Sequence, residues 1–232
     1  MASARRPSGH QNAINDYTKA IQLDPDDALA YQNRAVAYAR LGEHQNAIND
    51  YTKRIQFRPD DALAYQNRAA SYAELGEHQN TIANSDKAIQ LDPDNASAYN
   101  NRGISYSILG QYNLAITDYD KAIQLDPDNA SAHNNRGISY SILGQYDLAI
   151  TDYDKAIQLD PSYALSYLNR GVSYNGLGFD HRAIDDYTMA IQLDPDNASA
   201  YQSRAIAYRN LGQYASANAD KAKACSLGSQ YS

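Results

Sequence analysis

From Gly9 onward, apolar and small residues return at intervals of three and four, stop at a glycine, return again, and stop at an Asp-Pro pair. Between Ala130 and Tyr163, His133, Gly137, Tyr140 and Leu143 fall on one face of a helix that Gly144 ends, because glycine takes the left-handed conformation past a helix end at little steric cost. Tyr146, Ala149, Ile150, Tyr153, Ala156 and Ile157 fall on one face of a second helix, which Asp160-Pro161 ends. Proline restricts the residue before it and cannot extend the hydrogen-bond ladder. Each such stretch predicts an antiparallel helix pair. Gly137, Ala149 and Ala156 are small enough for the two helices to approach, and the tyrosines then fill the space between pairs.

The pattern is a repeat. Ala96–Asn129 is followed at once by Ala130–Tyr163, and the two differ only at Tyr99/His133, Asn113/Asp147, Asp128/Ser162 and Asn129/Tyr163. In the same register, full repeats cover 28–61, 62–95, 96–129, 130–163, 164–197 and 198–231. Residues 9–27 match the second half of a repeat, so the array over 9–231 is expected to open on the second helix of a truncated unit. Residues 1–8 lie outside the pattern and are expected to be a flexible or appended end. A fixed period of this length predicts stacked hairpins in place of one compact core.

The unit resembles the tetratricopeptide repeat. Numbered from its first alanine, that family favours a large residue at place 4, a small one at 8, an aromatic or large aliphatic at 11, Gly at 15, Ala at 20, an aromatic at 24, Ala at 27 and Pro at 32. The unit starting at Ala96 supplies Tyr99, Gly103, Tyr106, Gly110, Ala115, Tyr119, Ala122 and Pro127. The resemblance covers nearly the whole chain and implies an all-α fold, a right-handed α-solenoid superhelix of stacked antiparallel helix pairs. Pentatricopeptide repeats are the competing reading by length. Their RNA-binding role sits poorly with a net charge of −7 and no basic stripe, so no nucleic-acid partner is expected.

With Tyr 21, Phe 2 and Trp 0, the inter-helix space must be filled by rings that keep a polar tip. One cysteine, Cys225, excludes an intrachain disulfide. The opening MASARRPSGH has no apolar h-region and no long apolar run occurs, so a cytoplasmic protein without membrane insertion is expected. The Asn-Ala-Ser sequons at Asn95, Asn129 and Asn197 sit at helix starts and read as caps in preference to glycosylation sites.

Several positions break the pattern. In the first two units, Arg54 stands for Ala, Arg58 for Asp, Thr81 for Ala, and Asn84-Ser85 for Asp-Tyr. Ser85 in place of a packed ring predicts a void or a wetter seam. Asn175-Gly176 is expected to loosen the end of its helix. In the last unit Asn218, Lys221 and Ser229 replace Ile, Tyr and Pro, as suits an outer face that meets water. At the other end, Ile14, Tyr17 and Ile21 lack the preceding helix, so an apolar face is expected to stand open unless another chain or the remainder of a longer array covers it.

Little points to catalysis. His10, His44 and His78 occupy the turn place that Tyr112 and Tyr146 hold elsewhere, and His133 replaces Tyr99, so the histidines read as packing. The Asp-Pro-Asp-Asn turns lack the ligand spacing of a calcium loop. Phosphate loops, nucleophile elbows and paired-cysteine motifs are absent, so no metal, no cofactor and no enzymatic activity is expected. Arginine recurs at place 7 (Arg34, Arg68, Arg102, Arg136, Arg170, Arg204), and an acid recurs at place 23, with Asn84 the exception. A ladder of Arg–Asp pairs inside the stack follows, the alternative being a row of arginines that grips anionic ligands.

The candidate binding face is the other side of the first helices. Place 6 is Asn33, Asn67, Asn101, Asn135 and Asn169, then Ser203, and beside it lie Ile104, Ile108, Ile138, Ile142, Leu168 and Val172. Asparagine both donates and accepts, so the row could hold a peptide backbone irrespective of sequence while the apolar strip takes side chains. The row is similar to the asparagine ladder of the tetratricopeptide superhelix in O-linked N-acetylglucosamine transferase, although asparagine at place 6 also ties helices together in other family members. Members that clamp a C-terminal carboxylate carry Lys at places 2 and 5, where this chain has Leu29, Ser97, Gln32 and Asn100, so no clamp is expected. The expected work is protein–protein interaction, with an extended or helical peptide segment of a partner on the concave face. A self-assembling scaffold joined through the N-terminal helix, and the recognition arm of a larger enzyme, remain the alternatives.

Overall fold

The computed structural model describes residues 9–228; the expected flexible start over 1–8 and the final positions 229–231 of the last repeat lie outside the described residues. The described residues form helices without strands: α1 (Gly9–Leu23), α2 (Ala28–Arg40), α3 (His44–Phe57), α4 (Ala62–Glu74), α5 (His78–Leu91), α6 (Ala96–Ile108), α7 (Tyr112–Leu125), α8 (Ala130–Ile142), α9 (Tyr146–Leu159), α10 (Ala164–Gly176), α11 (Asp180–Leu193), α12 (Ala198–Asn210) and α13 (Tyr214–Gly228).

The helix ends fall where the sequence places them. Gly42, Gly76, Gly110, Gly144, Gly178 and Gly212 all have positive φ, from 72° to 79°, which turns the chain from the first helix of each hairpin into the second. The side chains of Asn95, Asn129 and Asn197 accept from the backbone N–H of Ala98, Ala132 and Ala200, so all three sequon asparagines are N-caps. Asp27 and Asp61 cap α2 and α4 in the same way.

The chain divides into two compact units, Met1–Leu125 and Asp126–Ser232. In the first, α1 packs on α2, and the hairpins α2–α3, α4–α5 and α6–α7 stack in order. In the second, α8–α9, α10–α11 and α12–α13 stack likewise. Within each unit this is the α-solenoid arrangement, with first helices side by side: α4 touches α6, and α10 touches both α8 and α12.

The core is a series of small seams. Tyr119, Tyr153 and Tyr187 are buried against Gly103, Gly137 and Gly171, where an added Cβ would stand 2.7–2.8 Å from the ring. Burying a ring of this size contributes about 2 kcal/mol, and in these three hairpins glycine lets the ring lie closer to the helix than a methyl group would allow. Ile14 of α1 is closed over at 4% exposure and Tyr17 and Ile21 are half-buried, so α2 covers much of the face expected to be open, while Leu23 stands out at 88%.

Two expectations about irregular positions need correction. Ser85 is fully enclosed at 0% exposure and its Oγ bonds no protein atom, so the seam there is closed to outside solvent. Asn175-Gly176 does not loosen α10, which runs through Gly176. The missing Cβ of Gly176 instead makes room for the Tyr146 ring, 2.7 Å from where that atom would be, and the Asn175 amide donates to Asp180 at 2.6 Å.

Candidate functional site

The first helices are held in place from behind by the arginines. Arg34 reaches Asp50 through Nε and Nη2 at 2.7 and 2.8 Å, and the same two-pronged bond joins Arg102 to Asp118, Arg136 to Asp152, Arg170 to Asp186 and Arg204 to Asp220. The carboxylates are buried and the guanidinium side chains 14–20% exposed, so each pair locks the two helices of one hairpin. Nη1 reaches back to the preceding hairpin: Arg34 to Thr18, Arg68 to Thr52, Arg102 to Asp86, Arg170 to Asp154 and Arg204 to Thr188. Each of these arginines therefore also fixes the step between repeats. Tyrosines three residues before and four after flank the guanidinium of Arg34, Arg102, Arg170 and Arg204 at 5.6–6.0 Å.

The electrostatics follow from this geometry. Hydrogen bonds to Asp118 and Asp86 hold the Arg102 guanidinium charged more firmly than a free one, while burial pushes the Asp118 carboxyl up against the pull of Arg102. Arg68 differs, since its partner Asn84 is neutral and burial lowers its pKa. The Asn84 amide is anchored in turn to the carbonyl of Asn80 at 2.8 Å. These contacts fit a structural ladder; an anion grip would need guanidinium edges turned outward.

On the opposite side lies the asparagine row. In the first unit, Asn33, Asn67 and Asn101 sit half-buried on α2, α4 and α6, with Ile104 half-buried and Ile108 at 60% exposure beside Asn101. Asn67 lines a groove between α2 and α4, roughly 330 Å³ in volume, with Val36, Arg40, Ala70 and Glu74. In the second unit, Asn135 and Asn169 are half-buried on α8 and α10, near Ile138 (half-buried) and Ile142 (54% exposed). Leu168 packs inward against Ala183, Tyr187 and Ala207. The Asn169 amide donates to Oδ1 of Asn134 at 3.2 Å and so ties neighbouring helices. The side-chain amides of Asn33, Asn67, Asn101 and Asn135 make no hydrogen bond to any described residue. Val36, Arg40, Ala70 and Glu74 share the periodicity of the face, and spacing alone puts them on it. What sequence could not show is that the face deepens between α2 and α4.

The histidines do not converge on a metal site: no group of three or more His, Cys, Asp or Glu that could hold an ion occurs among the described residues. His133 is buried at 6% exposure, with Nδ1 3.4 Å from Asp152 and Nε2 3.2 Å from the carbonyl of Pro127. No helix among the described residues is long and apolar enough to cross a membrane.

Models of the tetratricopeptide repeat match residues 28–61, 62–95, 85–117, 130–163 and 186–217, and a TPR repeat model matches 10–42 and 105–142. No curated protein sequence matches significantly. Among solved structures, the chain is similar to MamA (27% identity over 73% of this chain and 92% of that one, TM-score 0.65). It is similar in fold to YrrB, a TPR protein with an unusual peptide-binding site (24% identity, 81% and 96% covered, TM-score 0.66). It is also similar in fold to a tetratricopeptide repeat protein from Parabacteroides merdae (23% identity, 94% and 87% covered, TM-score 0.74).

Proposed function

The chain belongs to the tetratricopeptide repeat family and is in general character a protein-interaction scaffold; from that premise we propose that it binds a peptide segment of a partner protein along the face of its first helices. The observation that carries this reading is the state of the asparagine row. Four half-buried amides with unused donors and acceptors stand beside apolar side chains, one of them in the groove between α2 and α4. Half-buried amides lose part of their water without gaining a partner, and an extended peptide backbone supplies both missing groups. Hairpins about 10 Å apart, and a strand rising about 3.3 Å per residue, would let one amide serve about every third peptide residue. Arg40 and Glu74 on the groove rim would select side chains of opposite charge on either side of an apolar residue seated against Val36 and Ala70.

The test is selection of binders from a random-sequence peptide library, followed by calorimetry on the selected peptides. Asn67→Ala and Asn101→Ala should each weaken every peptide by about 1 kcal/mol whatever its side chains, as loss of a backbone hydrogen bond does. Val36→Asp should weaken most those peptides with an apolar residue at one fixed position. Unchanged affinity in both asparagine variants would remove the row from the binding site.

A further inference from the structure

Between α12 and α13 lies a second, larger cleft of roughly 510 Å³, outside the face just described. Ala205, Ile206, Ala224 and Cys225 line its apolar part, and Arg209 and Lys221 add positive charge. The previous hairpin shows what this kind of cleft accepts. The space between α10 and α11 receives α12, whose Ala207 packs on Ala183 and Tyr187 and whose Arg204 donates to Thr188 of α11. No further helix covers the equivalent side of α12 and α13 among the described residues.

The chemistry at that side has changed. The buried tyrosine of earlier hairpins is replaced by exposed Lys221, and the residue that accepts from the next arginine, Thr188 one repeat earlier, is replaced by Ala222. A first helix of this chain's own repeats would bring its arginine against an ammonium and a methyl group. Like charges at such a contact repel, so the cleft disfavours the arginine-bearing helices of a second copy, and α1, which has no arginine, lacks the acidic flanks that Lys221 and Arg209 would both pair with. The cleft keeps the shape for a helix and reverses the charge it rewards.

We infer that the α12–α13 cleft docks an amphipathic helix of a partner protein, one with a small-residue apolar face flanked by Asp or Glu that pair with Lys221 and Arg209. Against a chain of net charge −7, this local basic edge offsets the repulsion an acidic helix would otherwise meet. The inference is independent of the asparagine row.

Cys225 is the chain's sole cysteine and lines the cleft exposed, so its thiol reports occupancy directly. The probes are two synthetic helical peptides of about four turns with the same Ala/Leu face, one flanked by Glu and one by Lys, added to the full chain while Cys225 reacts with a chromogenic disulfide. The Glu peptide should slow modification about tenfold at saturation in low salt, lose its hold as salt rises, and leave an Asn67→Ala variant equally protected. The Lys peptide should protect little. The double variant Lys221→Glu, Arg209→Glu, with helix content checked by circular dichroism, should exchange the two preferences. Equal protection by both peptides, or a charge reversal that changes nothing, would overturn the inference. Protection that grows with protein concentration alone, together with dimer in sedimentation, would overturn it in favour of a second copy.

Discussion

Arg68 is the arginine of the ladder whose partner carries no charge. It donates to Asn84 where the other five ladder arginines reach a carboxylate, and burial lowers its pKa. Restoring the acid with Asn84→Asp should therefore stabilise the protein by about 1–2 kcal/mol, the increment of a hydrogen bond between charged groups over a neutral one, seen as a raised Tm. The reverse experiment is Asp152→Ala, which leaves Arg136 and His133 without their shared carboxylate. With Asp152 buried, a loss of about 3 kcal/mol or more is expected in denaturant titration, and a loss under 1 kcal/mol would mean that water replaces the carboxylate. Ser85 belongs at this scale too. Its hydroxyl is enclosed and unpaired, so Ser85→Ala should raise stability by about 1 kcal/mol by removing a polar group that has nothing to bond.

Within one hairpin, the distance between its two helices is set by a glycine and a ring. At Gly171 a Cβ would lie 2.7 Å from the Tyr187 ring. Gly171→Ala gains about 1 kcal/mol of helix propensity and loses about 1–3 kcal/mol to overpacking, so the single variant alone decides little. The decisive comparison is in a Tyr187→Leu background, where the same change should become stabilising by about 1 kcal/mol. A double-mutant cycle showing no coupling between the two sites would mean that the helices separate without cost. Ala35 opposite the buried Tyr51 shows that one hairpin of this chain already accommodates the methyl group, with Ala47 completing that seam.

Over the whole molecule, the buried tyrosines make stability depend on alkaline pH. Burial pushes Tyr51 up to about 12, and Tyr119, Tyr153 and Tyr187 are raised by the same cause. In the unfolded chain these phenols ionise near pH 10. Their contribution is therefore intact below about pH 10 and falls as pH rises from there toward the folded values, since the unfolded state alone releases protons. Each ring should remove up to about 1.4 kcal/mol per pH unit above 10, so phenolate absorbance from these rings should appear together with loss of helical circular dichroism. Phenolate appearing well before helix loss would mean that the rings titrate within the folded stack.

How much of this was legible beforehand differs by feature. The hairpins, the glycine turns, the asparagine caps and the Arg–Asp ladder all follow from local spacing, because a helix places residues three and four apart on one face and a repeat copies that face at every step. The wetter seam expected at Ser85 and the loosening expected at Asn175-Gly176 failed for one reason: each depends on the packing around the position, here an enclosed serine and the Tyr146 ring. The asparagine row was legible as a row, but its hydrogen bonding was not, since Asn169 is engaged only because Asn134 of α8 lies within reach. By itself the sequence determined the period, the helices and the residues on each face, since these depend on contacts within some twenty residues. Tertiary structure alone decided the groove between α2 and α4, the cleft between α12 and α13 and the division at Leu125, because open space is left by how far helices stand apart, and no residue encodes that distance alone.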